Sequence, residues 1–435
     1  MNPFSVVVFG ALLSLASGAV RCLSTDPLSR WNPAKPVKIW ISHEMPDVHR
    51  RMIVKALDFY SEVTCFNFNT ASISILSYSK DEEYLLSYMD SIDRAGEPEQ
   101  IMIFKYDSTW ECGSSGIGKS RVGNIISLYF TTVLHEIGHL LGLTHTHQRS
   151  DRDEYVTVKL PDTHSKSLAL SYKKETECKV TNGVTYSMPH GFQCEREIKC
   201  SHSHGVPYDY GSIMHYSPVA GSQNKSLPVL TARDPLKQYT MGNGAWPSIT
   251  DLLLINHHYS CFDNCKPSSV RCENGGFQNP NDCTRCVCPF GFAGRVCSER
   301  AEGSFQGKPC GETLQASNVW KSLMYTIWTR KLNPNANDYD SHSCHWHIKA
   351  APGFKVRVMF KQVGPCHEIK QCCLRGGTEL KTGNFQIGGY KYCCQSQIDA
   401  IRGHEFVSDG NIALINLDIQ FGFTGFEIIY KQTVC

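Results

Sequence analysis

The chain has 435 residues, and at roughly 150 residues per domain that length supports about three domains. Forty-three Lys plus Arg face 41 Asp plus Glu, a formal net charge of +2, so the overall field gives no basis for binding nucleic acid or an anionic membrane. Hydrophobic residues at 41% exclude a disordered, solvating chain, and 21 cysteines point to an oxidising compartment, where thiols pair instead of being kept reduced.

Taken in chain order, residues 1–19 read as a signal peptide. Phe4 to Ala19 is apolar or small, carries no charge and ends in Ala16-Ser17-Gly18-Ala19. The run is too short to cross a bilayer, and no later segment reaches about 18 uninterrupted apolar residues, so no membrane span is expected and the protein reads as secreted and extracellular. Residues 20–29 form a short propeptide-like segment, and its removal with Cys22 would leave an even number of cysteines.

Residues 30–262 read as a large α+β domain. Val37 to Ile41 alternates as a strand does. Asp47 is positioned to cap a helix running to about Val63, in which Met52, Ala56, Tyr60 and Val63 recur at helical spacing. Ile101 to Tyr106 and Asn124 to Phe130 read as further strands. Between Cys265 and Cys297, in a module spanning 263–298, six cysteines and several glycines leave no room for a hydrophobic core, so disulfides must hold this piece; spacing alone leaves the pairing open. From 310 to 431, short alternating segments such as Lys355 to Phe360 and Ile412 to Ile419, divided by turn residues, predict an all-β sandwich.

The chemistry concentrates in His135-Glu136-Ile137-Gly138-His139-Leu140-Leu141-Gly142-Leu143-Thr144-His145. Side chains four apart on a helix share a face, so His135 and His139 can hold one metal ion. Gly142 can end the helix and let His145 approach from another direction. Three neutral imidazoles suit a single Zn2+ with one position left for water, as in a catalytic site. Glu136, beside the first ligand, can take a proton from that water and return it to the departing amine of a peptide bond.

The pattern His-Glu-x-x-His-x-x-Gly-x-x-His, continued by Arg149-Ser150-Asp151-Arg152-Asp153, resembles the extended signature of the astacin metalloproteases within the metzincins. Tyr208-Asp209-Tyr210-Gly211-Ser212-Ile213-Met214-His215-Tyr216 resembles their Met-turn. The resemblance implies that Met214 packs beneath the metal and that Tyr216 is a further ligand that swings away to hydrogen-bond the transition state. It implies a disulfide between Cys65 and Cys261. Cys272 to Gly276 and Cys286 to Cys297 look like an EGF-like module, with implied pairs Cys265–Cys283, Cys272–Cys286 and Cys288–Cys297. Cys310 to about Tyr430 looks like a CUB domain, with Cys310 and Cys344 among its disulfide cysteines. Protease, EGF-like and CUB in this order is the arrangement of many nematode astacins.

Departures from the family pattern accompany this. Thr146 stands where most astacins carry a Glu that binds the processed amino terminus, and a hydroxyl cannot form that ion pair. Cys112 has no family partner before His135, and Cys178, Cys194 and Cys200 lie in a rebuilt stretch with His190, His202 and His204, which read as solvated imidazoles and not as a second metal site. Where a calcium-binding CUB domain has an Asp after its paired cysteines, this chain runs from Leu374 to Glu379, and no calcium is expected. Asn224 begins the one glycosylation sequon, and Cys435 closes the chain.

The sequence therefore predicts a secreted zinc endopeptidase acting on extracellular proteins or peptides, with the EGF-like and CUB modules offering contacts to matrix or cuticle. The alternative is an extracellular binding protein that has lost catalysis; the retained Glu136 and Tyr216 argue for the enzyme.

Overall fold

The computed structural model describes residues 31–76, 100–106, 113–114, 124–128, 133–160, 171–181, 184–187, 200–267 (except 223, 225–226, 243 and 245), 270–329, 342–364, 373 and 376–434 (except 420–421). The predicted signal and propeptide segments, Cys22, Cys112, His190, Cys194 and Cys435 lie outside these residues, as do the side chains of Cys178 and Cys200.

Alternation in the first strand, β1 (Lys38–Ser42), buries Ile39 and Ile41. It sits between β2 (Ser74–Leu76) and β3 (Ile101–Tyr106), parallel to both, with Ile39 opposite Met102 and Ile41 opposite Phe104. Two more strands, β4 (Gly113–Ser114) and β5 (Asn124–Leu128), complete a five-stranded sheet in the order β2-β1-β3-β5-β4. Only β4 is antiparallel to its neighbour.

Helix α1 (Asp47–Val63) buries Met52, Ile53, Ala56, Leu57, Tyr60 and Val63 on one stripe. That stripe shares a core with the sheet and with a second helix, α2 (Val133–Leu140), and the Tyr60 hydroxyl donates to Leu134 O at 2.8 Å. The start of α1 differs from the sequence reading in one respect. Pro46 occupies the cap position without a side-chain bond, and Asp47 is the first helical residue, where its charge favours the positive end of the helix dipole. At the other end, Asn281 Nδ2 donates to Ser61 O and Thr64 O at 2.7 and 2.6 Å, so a side chain some 220 residues away satisfies carbonyls that the helix itself leaves open.

Asn281 belongs to the small disulfide-rich module, built from the hairpin Phe277–Asn279 with Asp282–Val287 and the hairpin Phe292–Ala293 with Glu299–Arg300. Disulfides join Cys265 to Cys283, Cys272 to Cys286 and Cys288 to Cys297. Another, Cys65–Cys261, closes a separation of 196 residues across the large domain; such a link acts mainly by restricting the unfolded chain.

The C-terminal part is a sandwich of a seven-stranded and a four-stranded sheet. Lys355–Val363 and Lys321–Thr329 flank Gly422–Thr433 in one, and His342–Lys349 and Gly376–Lys381 flank Ile412–Ile419 in the other. Trp346, Val356, Val358, Ile415, Leu417 and Ile428 fill the space between. Cys310–Cys344 and Cys373–Cys393 are disulfide-bonded. The module and the sandwich touch where His347 Nε2 donates to Gly291 O at 2.9 Å.

Candidate zinc site

Helix α2 is amphipathic in an unusual sense: Val133, Leu134, Ile137 and Leu140 face the core, and its polar face, with His135, Glu136 and His139, is itself largely buried. Its last turn closes with Gly142 N bonded to His139 O and Leu143 N to Gly138 O, both at 2.9 Å, around Gly142 at φ 98°. A left-handed residue at this point is what glycine supplies at least cost. The reversed chain returns His145 to the helix, and His139 Nε2 and His145 Nε2 come within 3.2 Å.

His135, His139 and His145 bring one ligand nitrogen each to within 4.8 Å of one another, the sole such group of three among the described residues. Each Nδ1 is engaged: His135 donates to Ile213 O at 2.9 Å, His139 to Leu143 O at 2.8 Å and His145 to Gln148 Oε1 at 3.2 Å. These bonds put the proton on Nδ1 and leave the three Nε2 lone pairs convergent, so the donor set fits a zinc ion. Burial holds His135 below the usual histidine range. It holds His145 well below it, with His139, His147 and His135 adding repulsion, so both rings stay neutral as ligation requires.

Met214 is buried under α2, where a Cβ on Gly138 would stand 3.1 Å from its Sδ. Thr146 N donates to Met214 O at 3.0 Å, tying the turn to the segment that carries His145. The Tyr216 ring stacks on His147 at 4.1 Å between centroids and meets His145 edge-on at 4.5 Å. Burial raises its phenol pKa, the Glu136 charge raises it further, and a hydrogen bond with Ser171 works against both. Tyr216 therefore stays a proton donor at neutral pH, close enough to Glu136 to feel its charge.

Thr146 does not face empty space. Its hydroxyl donates to Ser212 Oγ at 2.8 Å, and Ser212 Oγ donates to Asp251 Oδ1 at 2.6 Å. The other oxygen of Asp251 accepts from Ile213 N at 3.0 Å and from Ser248 N at 2.9 Å. Burial pushes the Asp251 carboxyl up to about 6. The sequence reading does not single out Asp251 or Gln148. A signal for Asp251 exists in Ser248-Ile249-Thr250-Asp251, a capping box that opens helix α3 (Ile249–His258); nothing comparable marks Gln148.

The remaining site residues fall elsewhere. His202 and His204 stack at 4.4 Å, with His257 at 6.1 Å from His204, and among the described residues they belong to no group of three metal-ligating side chains. Asn224 is exposed in a bend. Both oxygens of Glu379, in the stretch compared with calcium-binding CUB domains, are engaged: Oε1 accepts from Gly389 N at 2.6 Å and Oε2 from Asn416 Nδ2 at 2.8 Å.

Comparison with known proteins agrees with this geometry. The family model for the astacin peptidases matches residues 23–190 and 180–260, more than half of the chain. The chain belongs to the astacin family. By that membership it is a zinc metalloendopeptidase, in which the astacin-matching region is followed by a disulfide-rich module and an all-β sandwich. It is similar to the zinc metalloproteinase nas-27 of Caenorhabditis elegans, 27% identical over 436 residues, covering 97% of this chain and 89% of that protein. To nas-32 of the same organism it is 30% identical over 372 residues, covering 85% of this chain and 48% of that one, so it spans about half the length of that relative. Among solved structures, the hatching enzyme zinc-protease HCE-1 of the medaka fish Oryzias latipes aligns with 56% of this astacin and 98% of its own chain, at 19% identity and a TM-score of 0.38. No described helix is long and apolar enough to cross a membrane.

Proposed function

We propose that this chain is a secreted endopeptidase that hydrolyses peptide bonds of extracellular proteins, with His135, His139 and His145 holding zinc, Glu136 as general base and Tyr216 as transition-state donor. The single observation that carries this reading is the convergence of three Nε2 atoms whose Nδ1 protons are each committed to an acceptor, beside a buried Glu136 on the same helix.

When bound, the ion polarises the scissile carbonyl and lowers the pKa of the attacking water toward about 7. A Glu136 carboxylate oxygen takes a proton from that water as its oxygen bonds the carbonyl carbon. The same group passes the proton to the amide nitrogen as the C–N bond breaks, so the amine leaves neutral. The Tyr216 hydroxyl donates to the carbonyl oxygen as negative charge grows there, a bond stronger in the transition state than in the ground state. Burial of Glu136 and His139 and partial burial of His135, His145 and Tyr216 limit the screening of these polar interactions by water.

Secretion is supported by the disulfides distributed over all three parts of the chain, which persist in oxidising compartments. Proteins or peptides are the substrate class, and matrix or cuticle contacts through the EGF-like and CUB parts remain within the proposal. The test is a quenched-fluorescence peptide library with the purified zinc-loaded chain, a chelator control and Glu136→Gln. Cleavage should be zinc-dependent and fall by at least about a hundredfold in the variant while zinc stoichiometry is retained. A folded, metal-loaded parent that cuts nothing would instead mark an extracellular binding protein.

A further inference from the structure

The sandwich is seated against the segment that leads into Met214. Its loop at Gly388 and Gly389 meets the backbone of Gly211, three residues before Met214: a Cβ on Gly388 would lie 2.8 Å from Gly211 Cα, and one on Gly211 equally close to Gly388 Cα. Gly388 N donates to Asp209 Oδ1 at 2.7 Å, and the same oxygen accepts from Gly211 N at 2.7 Å. Asp209 Oδ2 accepts from the Thr250 hydroxyl at 2.8 Å. On the opposite side of the loop, Lys237 Nζ donates to Gly388 O at 2.6 Å and Thr240 Oγ1 to Gly389 O at 2.8 Å, while Thr240 Oγ1 accepts from Lys391 N at 3.3 Å. Asp209, Thr240 and Thr250 are buried, so these bonds are shielded from competing water.

The bonds continue to the metal site. Thr250 adjoins Asp251, whose Oδ2 accepts from Ile213 N, and Ile213 O is the acceptor that orients His135. We propose that the Gly388–Gly389 loop of the sandwich is a positioning element for the zinc site, clamping Asp209 and Gly211 so that the turn presents Ile213 O to the His135 ring. Where Gly388 meets Gly211 the approach is backbone against backbone, with no flexible side chain between them to absorb a displacement, and for that reason a shift of the sandwich moves the turn. The sandwich then contributes to metal retention and turnover as well as to contacts with other proteins. The turnover part of this inference rests on the endopeptidase reading; the metal-retention part does not.

The test uses the full-length zinc-loaded chain. Gly388 has no positive φ, so Gly388→Val acts through the clash with Gly211 and not through backbone strain. Thr240→Val removes the bonds to Gly389 and Lys391 without added bulk. Gly410→Ala, in open space within the same sandwich, is the control. The readouts are the rate of zinc transfer to a chromogenic chelator and the kcat and KM on a short peptide that reaches only the cleft. The expected result is zinc transfer about tenfold faster in Gly388→Val and several-fold faster in Thr240→Val, with kcat reduced, KM unchanged and Gly410→Ala like the parent. If Gly388→Val fails to fold, Thr240→Val decides. Transfer rates equal to the parent in the folded variants would overturn the proposal. A parent that releases zinc more slowly than the variants yet cleaves no peptide would refute the endopeptidase reading and leave the clamp standing.

Discussion

Acid should loosen the metal-binding turn through His215, and the size of the effect follows from its surroundings. The ring is buried between the Met-turn and Tyr208: Nδ1 donates to Tyr216 O at 2.7 Å, and Nε2 accepts from the Tyr208 hydroxyl at 2.8 Å. Protonation of Nε2 would turn the Tyr208 hydroxyl from donor to acceptor and place a charge where water cannot reach, and burial accordingly lowers the pKa from 6.5 to about 4. Because the folded value lies below the unfolded one, the unfolded chain takes up the proton first, and stability is lost as pH falls from about 6.5 toward 4. At about 1.4 kcal/mol per unit the full loss is about 3 kcal/mol, and between about pH 7 and pH 5 it is about 2 kcal/mol. Urea unfolding of the zinc-loaded chain and of His215→Gln, followed by tryptophan emission across that range, measures it. The variant loses packing at every pH, but its stability should fall by about 2 kcal/mol less than that of the parent, since contributions common to both chains cancel. Parallel curves would refute the assignment of a buried neutral imidazole at this position.

Two further substitutions probe the site directly. Tyr216→Phe keeps the ring stack on His147 and removes only the hydroxyl, so kcat should drop while KM changes little; a rise in KM at unchanged kcat would assign the phenol to ground-state binding. Gln148→Ala takes away the acceptor of His145 Nδ1–H, and zinc affinity measured by chelator competition should weaken by about 10- to 100-fold, with unchanged affinity showing that His145 is oriented by other contacts.

Local periodicity was enough for the elements that the sequence identified. The stripe of Met52, Ala56, Tyr60 and Val63 is a property of a single helix, and the span Asp47–Val63 is the one observed; the strand at Ile101 to Tyr106 follows from composition in the same way. The zinc-binding pattern was equally legible, because His135 and His139 share a helical turn and Gly142 sits where the turn must reverse, all within eleven residues. Asp47 is not the cap that the sequence predicts, because the neighbouring Pro46 supplies the preset backbone angle and leaves the carboxylate to act through the dipole.

What the tertiary structure alone decided are the partners that lie far along the chain. Ile213 O reaches His135 across 78 residues, Asp251 accepts Ser212 across 39, and Gly388 meets Asp209 across 179. None of these carries a local signature, since a backbone carbonyl or a glycine N–H is present at nearly every position and only packing selects which one faces a buried acceptor or donor. Thr146 shows the same division: the sequence marks it as a departure from its relatives, and only the folded chain reveals that its hydroxyl is bonded through Ser212 to Asp251. The candidate ligands are set by spacing along the chain, and their orientation by contacts that exist only once distant segments meet.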